Sequence, residues 1–134
     1  MHNLTFEKLI EYDAGNPGIS LRVELRLGED AVFTDAKIDT GSSVCIFERS
    51  IGEALGLDIE SGRPETIRTV TGLFRVFAHE VTLITEGFEF DSEVYFAWDQ
   101  SFHLNVLGRL GWLDQVVVAI NDYEGKLYLS PYNT

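Results

Sequence analysis

The chain has 134 residues, 45% of them hydrophobic and 24% charged, the balance of one ordinary globular domain over residues 1–134 with a core that needs no metal or disulfide to hold it. Acidic residues outnumber basic ones 22 to 10, and a net charge of −12 repels phosphate backbones, so nucleic acid is not an expected partner. The single cysteine, Cys45, excludes an intrachain disulfide and any zinc site built from several thiolates.

A lone thiol also fits a reducing, cytoplasmic setting. No run approaches the ~18 apolar residues of a membrane span, and no basic patch followed by an apolar stretch marks a targeting segment near Met1. Repeats, low-complexity tracts and linkers are not apparent.

In chain order, Leu4–Ile10 reads as a first strand or a short helix, since its apolar spacing suits either. Asp13-Ala14-Gly15-Asn16-Pro17-Gly18 is a turn cluster. Ile19–Leu27 alternates apolar and polar residues, the pattern of a half-buried strand. A turn at Gly28-Glu29-Asp30 leads to a strand from Ala31 to Ile38 that ends at Asp39. Val44–Phe47 is short, apolar and β-prone. Glu48 to about Leu55 is the one well-supported helix, with Ile51, Ala54 and Leu55 at helical spacing and Gly56 as its stop. Strands return from Thr66 to Trp98, with a hairpin tip at Thr69–Phe74 and a turn at Glu86-Gly87. A short helix is expected at Leu110–Leu113. Gln115–Ile120 reads as a buried strand, Asp122–Gly125 as a turn, and Lys126–Leu129 as a last strand. Seven or more strands with one or two short helices make an all-β domain, closed or sandwich-like.

The segment Ala36-Lys37-Ile38-Asp39-Thr40-Gly41-Ser42-Ser43 delivers a carboxylate from an apolar strand into a turn of small, hydroxyl-bearing residues. Such a turn can fix one acid in place, although D-T-G-S is also a good plain β-turn sequence. It resembles the active-site motif of the retropepsin-like aspartic peptidases, D-T/S-G-S/A/T after a hydrophobic strand. The family's second signature, two apolar residues and a glycine late in the domain, matches Val106-Leu107-Gly108, followed by Arg109. From Asp39 to Gly108 is 69 positions, which suits a single lobe. The resemblance covers residues 20 to 130 in order of elements and is specific at Asp39–Ser43 and Val106–Arg109.

It implies a closed, barrel-like all-β lobe and an aspartic endopeptidase without cofactor or metal. Asp39 would be the catalytic acid and base, Thr40 and Gly41 its turn, and Val106, Leu107 and Gly108 the motif beneath it. The hairpin around Thr69–Phe74 would be a flap, and Val44, Ile46, Gly72, Leu73 and Phe74 would line the site for a polypeptide substrate. The chemistry needs two carboxylates about 3 Å apart that share one proton. With one D-T-G in the chain, the resemblance implies a homodimer. Two copies carry twice −12, or −24, so mildly acid pH is expected to favour association.

The sequence departs from the family at Ser43, where many retroviral members carry an acid that pairs with the arginine matching Arg109. Arg109 is therefore expected to pair elsewhere, with Asp99 or Asp114. A protease-fold module that binds peptides or dimerises without cleavage is the alternative. Of the other candidates, His79 and His103 read as packed or solvated, and Cys45 as a buried apolar residue. Ser42 and Ser43 lack the context of a nucleophile. Trp98, Phe102 and Trp112 read as core or as the rim of a site.

Overall fold

A computed structural model describes residues 1–133. The strands are β1 (Lys8–Glu11), β2 (Ser20–Leu27), β3 (Asp30–Ile38), β4 (Ile46–Phe47), β5 (Arg63–Thr69), β6 (Gly72–Thr85), β7 (Phe88–Ala97), β8 (Val106–Leu107), β9 (Val116–Asn121) and β10 (Lys126–Pro131). Among the described residues the one α-helix, α1, spans Arg49–Ala54, and two 3₁₀ turns cover Ile59–Ser61 and Leu113–Gln115.

Alternation in the sequence decides which side of each strand faces inward. In β2, Leu21, Val23 and Leu25 are buried while Arg22 and Glu24 point outward. β2 pairs antiparallel with β3, from Ser20↔Lys37 to Leu27↔Asp30. Seven strands lie in the order β2-β3-β8-β4-β7-β6-β5, and β2 also pairs with β6 from Val23↔Thr85 to Arg26↔Thr82. That second pairing closes the sheet on itself, so the closed barrel-like architecture is present. Long β6 serves two neighbours: its inner half meets β2 and its outer half meets β5. Glu86 and Gly87 take the positive φ (49° and 83°) of a tight two-residue turn between β6 and β7.

A second sheet, β1-β10-β9, is antiparallel throughout. Its Leu127 and Leu129 pack into the same core as Val23, Leu25, Phe47, Leu83, Phe96 and Leu107 of the larger sheet. Trp112 is fully buried there and donates its indole N–H to Thr85 Oγ1 at 3.2 Å. It is thus core rather than rim. Each large side chain so buried stabilises the fold by about 1.5–3 kcal/mol over leaving it in water.

Three sequence expectations need correction. The first strand is shorter than Leu4–Ile10 and begins at Lys8, the first residue with a β10 partner. The strand expected over Val44–Phe47 is confined to Ile46–Phe47, and Val44 makes only an isolated parallel bridge to Leu110. The helix expected at Leu110–Leu113 is a 3₁₀ turn at Leu113–Gln115. Gly111 breaks a helix there: its φ is +103°, and a Cβ would sit 2.8 Å from Ser92 Oγ.

Candidate active site

Two strands of unequal origin place Asp39. β3 runs parallel to β8, with Lys37↔Val106 and Ile38↔Leu107 in register. The Asp39 amide then donates to the Leu107 carbonyl at 3.0 Å, which ends the ladder and starts the turn. Within that turn Ser42 N–H donates to Asp39 O at 3.1 Å, and Gly41 N–H donates to the carboxylate Oδ1 at 2.9 Å. The Asp39 carboxylate is therefore aimed by a backbone amide, and it is partly exposed. Ser42 Oγ donates to Val44 O at 2.7 Å and keeps the loop compact.

Beneath the turn lies Gly108. The following amides lace it to the loop: Arg109 N–H to Ser42 O and Leu110 N–H to Ser43 O, each 2.9 Å. A Cβ on Gly108 would fall 2.6 Å from Val44 C and 2.8 Å from Ser42 O, and closer still to the Val44 carbonyl oxygen. Only glycine allows these two backbone segments to approach so closely. Cys45 Sγ, fully buried, accepts from Gly108 N–H at 3.4 Å. Burial pushes its thiol up to about 11, so it is held protonated as an apolar filler.

Above Asp39 opens a cleft of about 420 Å³. Its floor is Asp39 with Gly41, Ser42, Ser43 and Val44; Ile46 and Val106 form one side. The β5–β6 hairpin adds Ile67, Arg68, Thr69, Thr71, Phe74 and Val76, and loop 98–105 adds Phe102 and Leu104. The rings of Phe74 and Phe102 meet edge-to-face at 5.2 Å. The lining is mostly apolar around one carboxylate, as in a binding cleft with a few placed polar groups.

Among the residues expected at a substrate site, Val44, Ile46 and Phe74 line this cleft, whereas Gly72 and Leu73 do not. Leu73 is 63% exposed at the hairpin tip. Alternation accounts for most of the split: Ile67 and Phe74 are paired on the face that carries Val76, and Leu73 lies on the other, although Arg68, opposite Leu73, also lines the cleft. Ile67, Val76 and Leu104 were not singled out from the sequence, because alternation alone does not say which hairpin face looks toward Asp39. Thr40 lies outside the cleft. It lines a separate concavity of about 280 Å³ with Arg109, Leu110, Leu113 and Asp114, and its hydroxyl has no hydrogen-bond partner among the described residues.

Arg109 pairs with neither Asp99 nor Asp114, contrary to the sequence expectation. Asp114 Oδ1 accepts from Gly111 N–H at 3.0 Å instead. Asp99 Oδ1 accepts the Ser101 amide and hydroxyl, both at 2.8 Å, and these bonds hold its carboxyl below the ordinary range. Both acids are occupied locally before the arginine can reach them. His79 is packed, its Nε2 2.9 Å from Ile59 O, and His103 is exposed. Among the described residues no three His, Cys, Asp or Glu side chains gather as metal ligands, and no helix is long and apolar enough to cross a membrane.

No protein-family model matches this chain, and no curated protein matches it. Solved structures do. A retropepsin-like aspartic protease from Rickettsia conorii aligns over 92% of this chain and 97% of its own, at 16% identity and a TM-score of 0.69. The EIAV protease complexed with the inhibitor HBY-793 aligns over 75% of this chain and 88% of its own, at 18% identity and a TM-score of 0.58. This chain has the retropepsin-like fold. At such identities the likeness is one of architecture, and it spans nearly all of the bacterial protein. In this retropepsin-like lobe, Asp39 occupies the turn between the barrel's β3 and the wall of the cleft, laced from below by the Gly108 segment.

Proposed function

We propose that the chain is one catalytic domain over residues 1–134, of which Thr134 lies outside the described residues, and that it is an aspartic endopeptidase active as a homodimer. The observation that carries this reading is the Asp39 carboxylate, aimed by the Gly41 amide at the floor of a largely apolar cleft. Hydrolysis by carboxylates needs a second acid about 3 Å away. One lobe supplies one Asp39, so the second comes from another copy across a two-fold axis. The unpartnered Thr40 hydroxyl and the neighbouring Arg109–Leu110 surface, with Leu110 60% exposed, are the groups next to Asp39 left free to meet that copy.

The mechanism follows from like-charge repulsion. Two carboxylates so close share one proton. The ionised Asp39 takes a proton from water as it attacks the scissile carbonyl, and the protonated Asp39 donates to the carbonyl oxygen. Collapse of the tetrahedral intermediate returns a proton to the leaving nitrogen. Val44, Ile46, Phe74, Ile67 and Val76 would take substrate side chains, and the polypeptide would lie extended between the two lobes.

A second reading is a peptide-binding or dimerising module that does not cut. It is favoured by Ser43 in place of an acid and by an Arg109 with no ion-pair partner among the described residues. Peptide-library cleavage followed by mass spectrometry, with Asp39→Asn beside wild type, separates the two. The expected result is a set of cuts that vanish in the variant while its circular dichroism is unchanged. Equal cleavage by both proteins overturns the mechanism. Peptide binding by folded wild type without cuts from pH 4 to 8 establishes the module.

A further inference from the structure

Loop 98–105 gives the cleft Phe102 and Leu104; Phe102 packs against the cluster of Ile46, Val76, Ala78 and Tyr95, but few hydrogen bonds tie the loop to the rest of the chain. At its start Trp98 N–H donates to Arg75 O at 2.9 Å. At its end Asn105 is locked: its Oδ1 accepts from Glu48 N–H, and its Nδ2 donates to Glu48 Oε2, both at 3.0 Å. Between these anchors, Asp99 and Ser101 bond only to each other and to Phe102 N–H. Among the described residues, one hydrogen bond ties 100–104 to a distant part of the chain: His103 Nδ1 to Glu48 Oε1, at 2.9 Å.

We propose that His103 is a positioning residue for the proposed cleavage: through Glu48 it braces the wall bearing Phe102 and Leu104, and it does so more firmly when its ring is protonated. The inference rests on the peptidase reading for its functional consequence but not for the brace itself. Glu48 is placed for this task. Asn105 holds one carboxylate oxygen and so orients the other toward the ring, and the Glu48 side chain is only 24% exposed against 75% for His103. The charged groups around the ring are few. Asp99, on the same loop, acts on it through space, and the ring's positive charge in turn helps hold Asp99 ionised. Arg49, beside Glu48, is engaged by Glu53 and Glu60 and donates to Trp98 O. Arg75, on the hairpin, lies over the rings of Phe77 and Trp98. Both nearby cations have other partners.

Histidine is the side chain whose charge changes between acid and mildly alkaline pH. A neutral ring keeps at most a hydrogen bond to Glu48. The Phe102 ring, which meets Phe74 edge-on at 5.2 Å, then has only its apolar packing to hold it against the hairpin. Acid pH would therefore assemble the cleft wall under the conditions that also favour proton sharing between two Asp39 carboxylates.

His103→Asn tests this, since an asparagine amide can still donate to Glu48 but does not titrate. The exposed position tolerates the change. Two measurements are made on both proteins at pH 5.5 and 8: the nuclear Overhauser contact between the Phe102 and Phe74 rings, and KM and kcat for a peptide that wild type cuts. In wild type the ring contact should weaken at pH 8, and KM should rise about two- to fivefold more than in the variant, the scale of one exposed ion pair. Changes from the carboxylate pair and from association are common to both proteins and cancel in the comparison. The same pH response of the ring contact in both proteins overturns the brace. A His103-dependent ring contact in a protein that cuts nothing sustains the brace and removes the peptidase reading.

Discussion

Gly108→Ala puts the architecture of the site to its most direct test. The added Cβ has no free direction: it meets Val44 C at 2.6 Å and Ser42 O at 2.8 Å, with the Val44 carbonyl oxygen nearer still. All three are backbone atoms of the Asp39 loop, so no side chain can rotate away to relieve the clash. Overpacking of this kind costs about 1–3 kcal/mol. Moving the loop also breaks Arg109 N–H to Ser42 O and Leu110 N–H to Ser43 O, at roughly 1 kcal/mol each. The total is about 3–5 kcal/mol. With an unfolding entropy of about 2.1 cal/mol/K per residue over 134 residues, the midpoint should fall by roughly 10–18 °C.

The matched control is Gly28→Ala. That glycine also resists substitution, with φ at +59°, but a Cβ there meets nothing within 4 Å. Only the left-handed backbone cost of about 1–2 kcal/mol applies, or roughly 4–7 °C. Calorimetry on both variants at one fixed protein concentration makes the comparison, since association would shift both midpoints. A Gly108→Ala protein that melts no lower than Gly28→Ala would refute the reasoning, because the loop would then have room that the geometry denies it.

Two further outcomes follow from the titrating groups. With its thiol at about 11, Cys45 should be alkylated at pH 8 about 200-fold more slowly in the native protein than in denaturant, where its value returns to about 8.5; equal rates would contradict its burial. Arg63 grips Glu93 with two hydrogen bonds of 2.6 and 3.2 Å and holds its carboxyl below the ordinary 4.5. Such a carboxylate contributes stability above the unfolded value, and the contribution is lost as pH falls through the folded one. Arg63→Gln should raise the Glu93 midpoint in a carboxyl NMR titration and open a small stability deficit at pH 6 that closes by pH 3. An unmoved midpoint would show the pair to be idle.

Much of this molecule is written locally. The strict alternation of Leu21, Val23 and Leu25, the Glu86-Gly87 turn and the apolar spacing of Ile51, Ala54 and Leu55 each depend on near neighbours, and each element formed where its pattern lies. Asp39 and Gly108 were also legible, as two short motifs in order on a β-rich chain. Their sequence says nothing of distance. The 69 positions between them vanish only because β3 and β8 run parallel, which brings the Asp39 amide onto the Leu107 carbonyl.

Other features were settled by partners far away in the chain. Leu110–Leu113 has apolar spacing fit for a helix, but Leu110 bridges Val44 and Gly111 takes a φ of +103° against Ser92, so tertiary contacts override the local preference. Leu73 and Phe74 are neighbours of similar character. Pleating sends one to solvent and the other to the cleft, and only the placement of the hairpin over Asp39 decides which. Arg109 pairs with neither Asp99 nor Asp114 because both were taken by amides and a hydroxyl two or three residues away, whose short loops cost less entropy to close. The sequence by itself thus determined which residues are strand, turn and carboxylate. Which of them meet was decided by the closing of the barrel, because a side chain's direction is local while its neighbour is not.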